Sequence, residues 1–118
     1  MGSKEFLESI EKLVELNELD ACALVHGFSK NRFAIKELKD VAGIEKLKTF
    51  AYALLRAKGM KFMPTEEMKI IYSQIAEVEL KRLAEAGESG FRCGRGHSLE
   101  QHKKSLQGVL SKLKPVVN

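Results

Sequence analysis

Apolar side chains recur at three- and four-residue intervals along most of this 118-residue chain, the period of helices that bury one face. Phe6, Leu7, Ile10, Leu13 and Val14 form one stripe between Ser3, a candidate N-cap, and Asn17, while Glu8, Glu11, Lys12 and Glu15 take the opposite face. A shorter segment, Ala21-Cys22-Ala23-Leu24-Val25-His26, is apolar almost all round. It is expected to be the most buried helix, capped by Asp20 and ended by Gly27. Ser29 or Asn31 opens a third helix carrying Phe33, Ile35, Leu38 and Val41 as far as Gly43. Ile44 opens a fourth, with Leu47, Phe50, Ala51 and Leu54 inward and Gly59 as its left-handed stop.

Met60-Lys61-Phe62-Met63-Pro64 reads as an extended crossover or a lone strand. Thr65 then supplies an N-cap, and Glu66 and Glu67 suit the first turn of a fifth helix reaching about Ala86. Its inward positions are Met68, Ile71, Tyr72, Ile75, Val78 and Leu83. Residues 87–97 contain four glycines and must be a loop, which is expected to be mobile and to carry function. Ser98-Leu99-Glu100-Gln101 matches a capping box, so a sixth helix begins there and runs with Leu99, Leu106, Val109, Leu110 and Leu113 inward until Pro115. No stretch alternates at period two. The pattern predicts an all-α fold, a single compact bundle of about six helices spanning residues 1–118 as one domain.

Composition narrows the class. The chain is 44% hydrophobic, enough for one real core, and has no apolar run near the ~20 residues of a membrane span. Acidic residues interrupt any signal-like segment near the N-terminus, and two cysteines do not make a disulfide framework. The expectation is a cytoplasmic protein with no membrane association. The net charge of +4 is unevenly spread: residues 1–20 hold two lysines against six acids. Residues 30–58 hold eight basic groups against three acids, and residues 92–118 hold six against Glu100 alone. Such blocks suit a polyanion, most often nucleic acid, or else a solvated surface.

The most specific chemistry lies in the cysteines. Each has a histidine four residues later, Cys22 with His26 and Cys93 with His97. On a helix that spacing puts both side chains on one face, and two such pairs supply the four N/S ligands of a tetrahedral zinc site. A structural zinc is the one cofactor suggested, and it requires the two Sγ atoms to approach within about 4 Å. Cys22 otherwise reads as a small buried hydrophobe. Cys93, flanked by Arg92 and Arg95 ahead of a helix N-terminus, also fits a reactive thiol. The same loop, with amides around Gly94 and Gly96, fits an anion cradle. It lacks the spacing of a nucleotide P-loop.

Residues 33–54, with Ala42-Gly43-Ile44 at a tight break, resemble a helix-turn-helix DNA-binding motif. Lys39 departs from the small residue that the motif prefers, and Thr49 stands where an apolar residue is expected. The resemblance implies DNA more than RNA as partner, with Glu45, Lys46 and Lys48 at the leading end of the second helix. An ordinary helical hairpin is the alternative. His102, on the apolar stripe of the sixth helix, reads as a packed residue. No nucleophile is presented together with a base and an orienting group, so an enzyme is not expected. The reading is a small basic nucleic-acid-binding regulatory protein that contacts phosphates through Lys46, Lys48, Arg92, Arg95, Lys103 and Lys104. The alternative is a non-enzymatic helical adaptor or assembly subunit binding protein partners, including a second copy of itself.

Overall fold

Asn17 and Asp20 start the folded structure by capping each other. The Asn17 side-chain carbonyl accepts the Asp20 N–H at 2.8 Å, and the Asp20 carboxylate accepts the Asn17 N–H at 3.0 Å. This reciprocal pair satisfies two backbone donors at the start of a helix. The computed structural model describes residues 13–31 and 41–113, with side chains from Glu45 onward in the second stretch. The described chain comprises β1 (Val14–Asn17), α1 (Glu18–Asn31), α2 (Val41–Arg56), β2 (Gly59–Phe62), α3 (Glu66–Ala86), a 3₁₀ turn (Glu88–Gly90) and α4 (Leu99–Leu113).

The fold is mostly helical, with four α-helices and a small two-stranded sheet among the described residues rather than six helices and no paired strands. Residues 3–12 of the first expected helix, and its third helix over 32–40, lie outside the described residues. Val14–Asn17, assigned by periodicity to a helix, instead pairs antiparallel with Gly59–Phe62, Val14 opposite Phe62 and Asn17 opposite Gly59. Four residues fit either period, and the partner strand decides. The expected stop at Gly27 is also corrected, because α1 runs through it to Asn31. Gly27 lies against α3 so closely that a Cβ there would stand 2.8 Å from Ile75 Cγ2. Its role is close helix packing.

The break expected from the helix-turn-helix resemblance is also corrected, while residues 33–40 of that resemblance lie outside the described residues. The break it needs at Ala42-Gly43-Ile44 lies inside α2, which is helical from Val41. By contrast α3 begins at the expected cap, Thr65 Oγ1 accepting the Met68 N–H at 3.1 Å. At α4 the capping box closes in both directions: Ser98 Oγ accepts from the Gln101 N–H and Gln101 Oε1 accepts from the Ser98 N–H.

Helix α1 packs on α2, α3 and α4, and α3 and α4 pair along their length. Leu24, Leu54, Tyr72, Ile75, Leu83, Leu106, Val109 and Leu113 are fully buried between them. Asp20, buried at the start of α1, ties down α4 by accepting the Ser105 hydroxyl at 2.6 Å. Beside α2, Leu47, Phe50, Phe62, Met63 and Met68 line a largely apolar groove of about 320 Å³ with Lys46 at its edge.

Gly59 makes the ribbon possible. Its φ is +110°, and a Cβ would meet the Leu16 carbonyl oxygen at 2.5 Å. Left-handed backbone and a backbone clash coincide, so Gly59→Ala should cost about 2–3 kcal/mol. Chemical denaturation of the two proteins measures it; an unchanged midpoint would remove the ribbon from the stability of the fold.

Candidate metal centre

Three elements converge on one point: the second turn of α1, the glycine-rich loop and the first turns of α4. Cys22 is presented by α1, Cys93 and His97 by the loop, and His102 by α4. Their ligand atoms all lie within 4.8 Å of one another. Cys22 Sγ stands 3.6 Å from Cys93 Sγ, Cys93 Sγ 3.6 Å from His97 Nδ1, and Cys22 Sγ 3.9 Å from His102 Nε2. A zinc tetrahedron with bonds of about 2.3 Å to sulfur and 2.0–2.1 Å to nitrogen has S···S edges of about 3.8 Å and S···N edges of about 3.6 Å. Three edges of the cluster therefore already have the separations of a metal-bound set. The four residues can hold a metal ion.

The loop makes contacts with α1 and α4. Arg95 pairs with Glu18 at 2.8 Å, tying it to the start of α1. Phe91 packs against two imidazoles, its ring centroid 4.8 Å from that of His102 and 5.7 Å from that of His26. His26 Nε2 lies 2.9 Å from the Arg92 carbonyl, one residue before Cys93. A carbonyl only accepts, so Nε2 carries the proton of that contact. These contacts offset the ordering entropy of a segment with four glycines.

Of the sequence-predicted ligands, Cys22, Cys93 and His97 are brought together. His26 is not among the four. Its other nitrogen faces the buried Glu79 carboxylate at 3.5 Å. His102 fills the fourth place, and it was missed because a buried residue on an apolar stripe looks like packing. The available signal was local: His102 follows His97 by five residues across a capping box.

Electrostatics at the cluster suit a cation. Burial, with the hydrogen bond and charge of Cys93 adding to it, pushes the Cys22 thiol up to about 12. A bound divalent ion reverses that tendency by stabilising both thiolates. Burial, helped by the charges of His26 and His97, lowers His102 to about 4. It is therefore a neutral imidazole at neutral pH, the form that ligates. His102 Nδ1 is buried with no hydrogen-bond partner among the described residues, while Nε2 is turned toward the thiols.

Both thiols are free and adjacent. A mild oxidant such as diamide applied to metal-free protein should therefore form an intramolecular Cys22–Cys93 disulfide with little backbone movement. Thiol titration and peptide mapping check this. Recovery of both thiols after oxidation would show that the sulfurs do not meet in solution.

Beneath His26 lies a buried ionic network. Glu79 is fully buried, accepts from Asn31 Nδ2 at 2.9 Å, and takes a two-point contact from Arg82 Nε and Nη2 at 2.6 and 2.9 Å. Burial alone would raise its carboxyl, but hydrogen bonds from Arg82 and Asn31, with the charges of Arg82 and His26, hold it below the usual carboxylate range. The basic residues expected to meet phosphate stand in different surroundings. Arg95 is paired with Glu18, Lys103 is near Glu100 at 3.8 Å, and Lys48 lies 6.0 Å over the Tyr52 ring. Lys46 borders the apolar groove, and Arg92 and Lys104 are exposed.

Compared with protein-family models, curated proteins and solved structures, the chain matches none of them. The chemistry of the centre is to be read from its own atoms.

Proposed function

We propose that this chain is a non-catalytic zinc-binding domain. One ion held by Cys22 Sγ, Cys93 Sγ, His97 Nδ1 and His102 Nε2 would lock the glycine-rich loop to α1 and α4. The observation that carries this is the 3.6–3.9 Å spacing of two thiols and two imidazoles contributed by three separate elements. Two thiolates and two imidazoles favour zinc over magnesium or calcium, which prefer oxygen. Four protein donors complete a tetrahedron and leave no open position for substrate, which is the arrangement of a structural site.

The test is direct. Protein purified without chelator should contain one zinc per chain by elemental analysis. Cobalt substitution should give intense visible bands of tetrahedral geometry together with thiolate-to-metal charge transfer. Less than a tenth of an equivalent of any transition metal after loading, on the order of background, would end the proposal.

A nucleic-acid partner is the second reading, favoured by one observation: Arg92, on the same loop, is exposed and its side chain has no ion pair among the described residues. Binding to duplex DNA should fall with salt by close to one log–log unit per phosphate contacted. No binding at low salt leaves protein partners as the field to search.

A further inference from the structure

Beside His26 the structure forms a polar cleft of about 180 Å³ lined by His26, Lys30, Arg82, Ser89, Gly90 and Arg92. We propose that this cleft binds a phosphate group. Three cations border one concavity, supplied by α1, α3 and the loop. Like charges are not drawn together by each other, so their common cleft is suited to an anion.

The donor inventory points the same way. Arg82 uses Nε and one Nη2 hydrogen on Glu79, which leaves three of its five N–H groups for another acceptor. Lys30 and the Arg92 guanidinium have no carboxylate or hydrogen-bond acceptor among the described residues, and neither has the Ser89 hydroxyl. Among the described residues, the one acid paired with this set is Glu79, already neutralised by Arg82 and faced by His26. What the cleft lacks is acceptors. A tetrahedral oxyanion supplies several, and guanidinium forks match its geometry with paired hydrogen bonds.

Size sets the ligand class. The cleft is smaller than the roughly 300 Å³ lower bound of pockets that engulf whole small molecules. It accommodates a phosphate group whose carrier stays outside. That carrier is either a phosphomonoester metabolite or the backbone of a nucleic acid. The anion cradle expected around Arg92, Arg95, Gly94 and Gly96 shares Arg92 with this cleft, while Arg95 is paired with Glu18.

Calorimetric titration at low ionic strength tests the proposal with inorganic phosphate, a nucleoside monophosphate and an oligonucleotide without terminal phosphate. The protein is used as isolated with its zinc content measured, so that failure of the metal centre and failure of the cleft are read separately. Saturable phosphate binding is expected. Lys30→Gln and Arg92→Gln should each weaken it about tenfold or more, and Lys61→Gln, exposed on β2, should leave it unchanged. Tighter binding of the monophosphate identifies a metabolite carrier; tighter binding of the oligonucleotide, displaced by phosphate, identifies a nucleic-acid backbone. No saturable binding of any of the three, or an equal loss in Lys61→Gln, overturns the proposal.

Discussion

Zinc raises the thermal midpoint by roughly 15 °C when its free concentration is about a thousandfold above its Kd, and a chelator reverses the shift. Binding to the folded state alone at that ratio stabilises by about 4 kcal/mol. For a chain of this length each kcal/mol moves the midpoint by about 4 °C. His102→Ala should abolish the zinc-dependent shift, whereas His26→Gln should keep most of it, because only His102 belongs to the four-atom set. Removing a fully buried imidazole also leaves a cavity. The meaningful quantity is therefore the difference between zinc-loaded and metal-free protein within each variant. Equal shifts in the two variants would refute the ligand assignment.

Acid should erase the same shift. Both thiols release protons when they ligate, so affinity falls up to about a hundredfold per pH unit while both are protonated in the free protein. In metal-free protein His102 adds a separate acid dependence. Its ordinary value is 6.5 and its folded value about 4, so between those limits the unfolded chain takes up a proton that the folded chain refuses. Stability present above pH 6.5 is therefore lost progressively down to pH 4, by about 3 kcal/mol.

How far the sequence led differs from element to element, for physical reasons. Helices α3 and α4 were legible because Thr65 and Ser98 announce their starts with side-chain chemistry that needs no tertiary partner. The ribbon was not, because Leu16 and Met60 face each other only through a long-range pairing. Asn17 carries a local cap, but Asp20 competes with it as a candidate, and only the reciprocal hydrogen bonds show that the two act together. Gly27 was misread because a glycine that ends a helix and one that lets two helices touch look alike in sequence. The repeated Cys–His spacing led to three of the four clustered residues. It misled on the fourth because symmetry in sequence carries no geometry: His26 is turned to Glu79 and the Arg92 carbonyl.

Arg82→Met is expected to destabilise the fold by about 3–5 kcal/mol, although the residue is partly exposed and lies outside the cysteine cluster. The cost comes from Glu79, which is fully buried and would keep only Asn31 as a hydrogen-bond donor. Breaking a buried pair from one side leaves an uncompensated charge in the interior. Because Glu79 is held below the ordinary carboxylate range, its contribution is present at neutral pH. That contribution is lost only as pH falls through its lowered folded value. In Arg82→Met the carboxyl loses its strongest stabilisation and rises, so the deficit should be largest at neutral pH and shrink in acid. Glu79→Gln in the same background should recover part of the loss, since a neutral amide is cheaper to bury. The four-member cycle, measured by denaturation at two pH values, isolates the pair. If Arg82→Met costs less than about 1 kcal/mol, as an exposed ion pair would, the network does not support the fold.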